Sequence, residues 1–494
     1  MKKRFLGLII AAAMSVGMLA GCSSNGKVAK LEDPNEYPKD AYEIQWYLPI
    51  ENTPSDLESV EAELNKYLTE KINATVNINC MASGQYKEKL GMMINTGEYF
   101  DMCFVATWML DYTNNARKNV FFDLTDHLDT YLKDATEAIG KDNLQLQRVD
   151  GRLMALPVYK EMASQYGWIY RKDIADKYGI DMSQYKTFEE FTPVAEMLKE
   201  KEKSIEYVVD WSNLGTPYNM YNIIYNIDPS GTFEPNKVIN FYKTDEFKQA
   251  IAIAREYYQK GLVRPDVLTA TDDVAKMASG KTFAMYNLVK PGKAAEMFPD
   301  SQYDFAEVGT ANIYLDHMAG AQSMQAISAT SKNPARVMKF MNLLNSDPYV
   351  KNLVIHGIEG KHYEKIDDKT IKQIPNSGYS LYDNTWAIGN VFLDYLKDDE
   401  NPDKLEILKT LNKNAIHAPV QGYVPSEMDS EIKQIDLDCN AAVDKYRKQL
   451  ITGAVDTEPT YSEFISTLDK CNYDKYLEWI QNDYDAYLKT IEDK

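Results

Sequence analysis

Gly280, Lys281 and Thr282 follow one another as they would in a phosphate-binding loop, whose amides and lysine cradle a nucleotide. That loop needs another glycine five residues earlier, and Ala275 stands there. Asn226, Asp228, Ser230 and Gly231 fall at calcium-loop spacing, but position twelve is Lys237 where a bidentate glutamate is required. Ser183 and Lys186 make an SxxK pair without the other β-lactamase signatures, so chance accounts for it. No HExxH zinc pair or GxSxG elbow occurs, and the five histidines are scattered. Among 74 acidic residues, paired carboxylates discriminate nothing. No catalytic residue, metal site or cofactor is therefore assigned.

Aromatic usage stands out instead. Tyrosines number 35 against 16 phenylalanines, and there are six tryptophans. Such side chains join an apolar face to a polar edge, which suits a partner that must be both stacked and hydrogen-bonded. A sugar ring, with C–H faces and a hydroxyl rim, is such a partner.

The N-terminus reads Lys2, Lys3, Arg4, then the apolar run LGLIIAAAMSVGMLA, then small residues before Cys22. This is a secretory signal rather than a membrane span, because it falls short of about 20 apolar residues. Leu19-Ala20-Gly21-Cys22 resembles the bacterial lipobox, which implies cleavage after Gly21 and lipidation of the Cys22 sulfur. Each buried acyl CH₂ contributes roughly 0.8 kcal/mol, so two or more chains hold firmly. Residues 22–40 are polar, with Gly and Pro, and read as a flexible tether reaching about 25 Å. The expected location is the extracellular face of the cell membrane.

The chain carries 54 basic against 74 acidic residues, and loss of the signal removes three more bases. Nucleic acid is not an expected partner. Cys80, Cys103, Cys439 and Cys471 sit in no CxxC or His-rich context, and buried free thiols are expected in a chain large enough to need no staples.

Such a length calls for two or more domains. Tyr42, Ile44, Trp46 and Leu48 alternate, as do Ile72, Ala74, Val76, Ile78 and Cys80, which predicts two strands. Between them Leu57, Val60, Leu64 and Leu68 recur at helical spacing. A second helix carries Tyr86, Leu90, Met93 and Ile94, stops at Gly97, and leads into the buried strand FDMCFV. The order β-α-β-α-β predicts a parallel sheet with right-handed crossovers. Beyond residue 160 the chain turns mainly helical, with strand-like pieces at VDGRLMALPV, GKTFAMYNL and YDFAEVG.

The lipobox, this sheet, GEYFDMCFVATW, VDGRLMALP, GKTFAMYN and ISATSKNPARVMKFMNLL, in this order, resemble extracellular solute-binding proteins of ABC importers. The likeness is to the long lipoprotein branch of the family-1, sugar-type group. It implies an α/β, periplasmic-binding-protein-like type II fold, two α/β lobes joined by hinge strands. By analogy the chain crosses near Leu156-Pro157, returns near 305–310 and leaves again near 345. Lobe one is then 40–157 plus 306–345, and lobe two 158–305 plus 346–494. The implied function is capture of a carbohydrate, an oligosaccharide, by a monomer that delivers it to permease subunits.

Ligands of open parallel sheets sit outside the carboxyl ends of the strands, here Glu51-Asn52, Ser83–Gln85 and Thr107-Trp108. Trp108 and Asp111 match the family position where an aromatic stacks and a nearby acid takes hydroxyls. Trp211, Tyr218, Asn287, Trp386 and Asn390 are the candidates from lobe two. Many sugar binders have tryptophan after the GKTAM-like strand, where this chain has NLVKPG. The alternatives are a surface glycosidase or polysaccharide lyase, and a binder of peptide or another polar solute.

Overall fold

The computed structural model describes residues 31–34, 40–211, 216–221, 223, 225–227, 234, 236–298, 301–315, 318–417 and 420–492. The expected signal segment and Cys22 lie outside the described residues. Among those described, no helix is long and apolar enough to cross a membrane.

Four strands open the chain in one sheet: β1 (Tyr42–Pro49), β2 (Ala74–Met81), β3 (Met102–Val105) and β4 (Leu156–Pro157). A second sheet holds β5 (Gln165–Arg171), β6 (Tyr207–Asp210), β7 (Thr282–Val289) and β8 (Phe305–Gly309). After β9 (Tyr314–Leu315) the chain returns to the first sheet as β10 (Met324–Ile327). The orders are β2-β1-β3-β10-β4 and β6-β7-β5-β8. β1 pairs parallel with β2 and β3, and β10 runs antiparallel between β3 and β4.

The two crossovers are α1 (Leu57–Ile72) and α2 (Ser83–Thr96). α1 buries Val60, Leu64, Leu68 and Ile72, one per turn, each contributing about 1.5–3 kcal/mol relative to exposure. It stops at Asn73, whose left-handed backbone (φ 48°) turns its N–H onto the Leu68 and Thr69 carbonyls. α2 buries Tyr86, Leu90 and Met93 and stops in the same way at Gly97, φ 69°. Next come α3 (Tyr112–Arg117) and α4 (Lys133–Ile139).

The packing divides the chain differently from the boundaries expected above. β8 lies beside β5 at the edge of the second sheet, so residues 305–309 belong with lobe two rather than lobe one. The helices Pro334–Ser346 and Pro348–His356 pack on α1, and the first core includes Val350, Val354, Tyr379 and Ile388. Residues 346–388 thus join lobe one, because the apolar face after Asp347 has its partners there. β11 (Tyr363–Lys365), β12 (Thr370–Gln373) and β13 (Leu396–Lys397) make a small sheet.

The third crossing is not near 345 but at β14 (Ile416–His417), which pairs parallel with β9. Ser164 bridges Tyr314 from the other crossing. Asn412 ties the group: its Oδ1 accepts from the Met162 and Ala163 amides at 2.8 and 3.1 Å, and its Nδ2 donates to the Lys160 carbonyl at 2.8 Å. Lobe two has its own core around Trp168, Phe188 and Phe283. A third core joins the helix Asp245–Gln259 to the C-terminal helices Ser430–Ile451, Thr457–Lys470 and Tyr473–Glu492.

The expected tether also differs. Glu32 is clamped to lobe one: its carboxylate accepts from Arg336 Nε at 2.7 Å and Asn333 Nδ2 at 2.8 Å, its carbonyl accepts from the Tyr131 hydroxyl, and Leu31 packs on the first core. The Arg336 side chain is almost fully buried, and its other nitrogens reach the Asn73 and Asp40 carbonyls. A buried guanidinium needs a carboxylate partner, which fixes residues 31–34 in place. Cys80, Cys103, Cys439 and Cys471 carry free thiols, and burial pushes the Cys103 thiol up to about 12.

Candidate functional site

The carboxyl ends of β1, β2 and β3 open on one edge of the first sheet, and β10, running the other way, brings Gln322 and Ser323 to the same edge. Trp108 stands there, about half exposed (51 %). Its indole Nε1 donates to the Gln322 carbonyl at 2.9 Å, which fixes the ring. The ring centroid lies 5.9 Å from that of the buried Phe104 and 6.1 Å from that of Trp386, with 36° between the indole planes. Phe104 meets Trp386 edge-on at 5.4 Å. Two residues 278 positions apart in sequence thus form one aromatic surface over a phenylalanine base.

The loop that presents Trp108 is strained. Leu110 and Asp111 both hold positive φ, 60° and 42°, which costs a side-chain-bearing residue and persists only where neighbours enforce it. Enforcement comes from α3: Asn115 Nδ2 donates to the Leu110 carbonyl at 2.6 Å, and Asn114 Nδ2 to the Asp111 carboxylate at 2.7 Å. Asp111 is exposed beside the indole.

Trp386 is held from behind. Ser323 Oγ donates to its carbonyl at 2.6 Å, and Gln325 Nε2 to the Ala387 carbonyl at 2.5 Å. Lys351, wholly buried, donates to Thr385 Oγ1 at 2.8 Å and to the Ile388 carbonyl at 2.5 Å, and faces Asp394 at 3.1 Å. Burial pulls the lysine down and pushes the aspartate up, while each opposes the shift of the other. Removal of one partner would leave a buried charge alone.

Glu51 and Asn52 are exposed on the same edge. The Glu51 carboxylate accepts from the Ser83 amide at 3.0 Å at the start of α2, and the Ser83 hydroxyl and amide hold it below the usual carboxylate range. The remaining candidates separate from this group. Trp211 is 2 % exposed, packed 5.6 Å from both Phe188 and Tyr257 inside lobe two. Tyr218 packs against Phe241 and Phe247 under the Arg447 guanidinium. Asn390 is buried, its Nδ2 on the Asn345 carbonyl and its Oδ1 capping Phe392. Trp211 and Asn390 are occupied by packing, so their assignment to a ligand surface is withdrawn, while Tyr218 is half-buried against the third core. Asn287 is half-buried late in β7, its Oδ1 accepting from the Leu288 amide.

Sequence reasoning missed the hinge charges. Glu161 lies 3.4 Å from Lys160 and 2.8 Å from Lys290, which also meets Glu296 at 3.0 Å. Burial pushes the Glu161 carboxyl up, but the two lysines outweigh it and hold it at about 2. The pattern Tyr159-Lys-Glu just after the first crossing was the available signal. A cavity of about 340 Å³ opens beside Trp108, walled by α2 and the start of α3.

A model described as bacterial extracellular solute-binding protein matches residues 52–351. The chain belongs to this family. A further model, for a domain of unknown function, matches residues 423–489 of this solute-binding protein. A carbohydrate ABC transporter substrate-binding protein of Streptococcus pneumoniae is 26% identical over 97% of this chain and 96% of its own length. The lipoprotein LipO of Bacillus subtilis is 22% identical over 92% and 93%. In structure, the S. pneumoniae N-glycan transport solute-binding protein NgtS superposes with a TM-score of 0.80, 24% identity, over 91% of this chain and 99% of that one. The fold is therefore the periplasmic-binding-protein-like one that the sequence implied.

Proposed function

We propose that this solute-binding protein captures an oligosaccharide between its lobes and hands it, unaltered, to the permease subunits of an ABC importer. It acts as a monomer held to the outer face of the membrane by lipid on Cys22. The observation that carries the reading is the paired Trp108–Trp386 surface at the strand ends, with Trp108 half exposed and the Asp111 carboxylate on the same cavity wall. Stacking on the indoles with hydroxyls on the acid suffices for micromolar affinity, about −8.2 kcal/mol.

The relatives add support. NgtS has also been solved with Man1GlcNAc and with Man5GlcNAc, and the TM-score to this chain falls from 0.80 to 0.70 and 0.65 for those complexes. The arrangement here is nearer to that of NgtS described without a sugar. Such a difference is what a ligand that stabilises a closed form would produce. LipO, a lipoprotein by name, supports the anchor.

Thermal-shift and calorimetric titration with Man1GlcNAc, Man5GlcNAc and a peptide set test the reading. At least one glycan should raise the melting temperature by mass action and be recovered uncleaved. Stabilisation by peptides alone, or recovery of a cleaved glycan, would replace it.

A further inference from the structure

α2 shows two faces. Tyr86, Leu90 and Met93 form the buried one, and Lys87, Gly91, Ile94 and Asn95, again at helical spacing, line the cavity beside Trp108. Gly91 sits in the middle of this helix, where glycine destabilises relative to alanine through its extra backbone freedom. Its φ is not in the left-handed region, and a Cβ there would meet no atom of the described residues within 4 Å apart from its own turn of helix. That Cβ would enter the cavity. A glycine that costs helix stability and relieves no clash is explained if the space it leaves is used.

We propose that this cavity is a second saccharide seat on lobe one, kept open by Gly91, which takes a ring of a larger glycan that a disaccharide held against Trp386 does not reach. The proposal rests on the capture of glycans argued above. At about 340 Å³ the cavity is at the low end of the roughly 300–1,000 Å³ of small-molecule sites, room for a chain end rather than a chain. Its walls match a sugar: the indole of Trp108 offers a face for C–H groups, and Asn95 and Asp111 offer polar groups for the rim. The strained loop at Leu110 and Asp111 fixes the wall opposite α2. Because Trp108 lines this cavity and also packs, tilted, against Trp386, one residue serves both seats.

The test uses Gly91→Leu, which fills the cavity, and Gly91→Ala, which adds one methyl; both improve helix propensity, and melting curves confirm folding. Calorimetry is run with Man5GlcNAc and Man1GlcNAc. Gly91→Leu is expected to weaken the larger glycan about ten-fold or more and leave the smaller unchanged, with Gly91→Ala between. Unchanged affinity for both, or equal loss for both, overturns the second seat while capture stands. Failure of the wild-type protein to bind either glycan counts instead against the capture reading, and the second seat falls with it.

Discussion

Trp108 and Trp211 occupy matching positions, each just past the carboxyl end of a parallel strand, yet one is 51 % exposed and the other 2 %. After β3 the backbone turns through two consecutive positive φ angles, and the indole is fixed to the rim by Gln322. After β6 the indole turns inward onto Phe188 and Tyr257, and its Nε1 has no partner among the described residues. Residue type and topological place are therefore not enough to make a ligand surface. At Trp108 the strained loop and the Gln322 carbonyl hold the ring at the rim, whereas Trp211 is taken up by the core of lobe two.

The contrast can be broken by truncating each ring. Trp211→Ala should cost about 3–5 kcal/mol in denaturant unfolding, as a large side chain lost from a core does. Glycan affinity of the folded protein should stay within about threefold. Trp108→Ala should do the opposite: affinity falls by about 2 kcal/mol, roughly thirty-fold, with stability changed by less than about 0.5 kcal/mol. A stability loss at Trp108 equal to that at Trp211 would erase the distinction.

A smaller effect sharpens the comparison. Asp210, the residue before Trp211, is pushed up to about 7, first by burial and then by the Asp273 carboxylate, with Arg264 pulling the other way. Its folded form keeps a proton that the unfolded chain releases near pH 4. The stability this gives is complete below pH ~4 and is lost as pH rises to about 7. Relative to Asp210→Asn, the wild-type protein should lose on the order of 1–4 kcal/mol between pH 4 and pH 8, read by denaturant unfolding at each pH. Glycan affinity should not follow that curve if the interior of lobe two supports the fold rather than the sugar.

The first sheet was legible because its signals are local: alternation over β1 and β2, one apolar residue per turn in α1, and the Gly97 stop. Trp108 was legible from its place after β3. The hinge carries no periodicity, since β4, β9 and β14 span two residues each: the resemblance gave the crossing near Leu156-Pro157, but nothing pointed to the one at β14. VDGRLMALPV reads as a strand, but Val149 and Arg152 bridge each other across a turn and Leu156 and Pro157 alone join the sheet, opposite Gln325 and Met324. Membership of 346–388 in lobe one depends on contacts with α1, far away in sequence. Tyr218 and Asn390 are of types common to packed interiors and binding surfaces, so composition could not separate the two uses.

The Glu32 clamp bears on how the molecule stands on a bilayer. It grips where β1 and β2 begin, whereas the indoles lie where those strands finish, some eight residues or about 26 Å along the sheet. With acyl chains on Cys22, as proposed, the nine residues before Leu31 could stretch no further than about 32 Å. Root and mouth would then lie at opposite ends of lobe one, with the opening turned away from the lipid and toward lobe two.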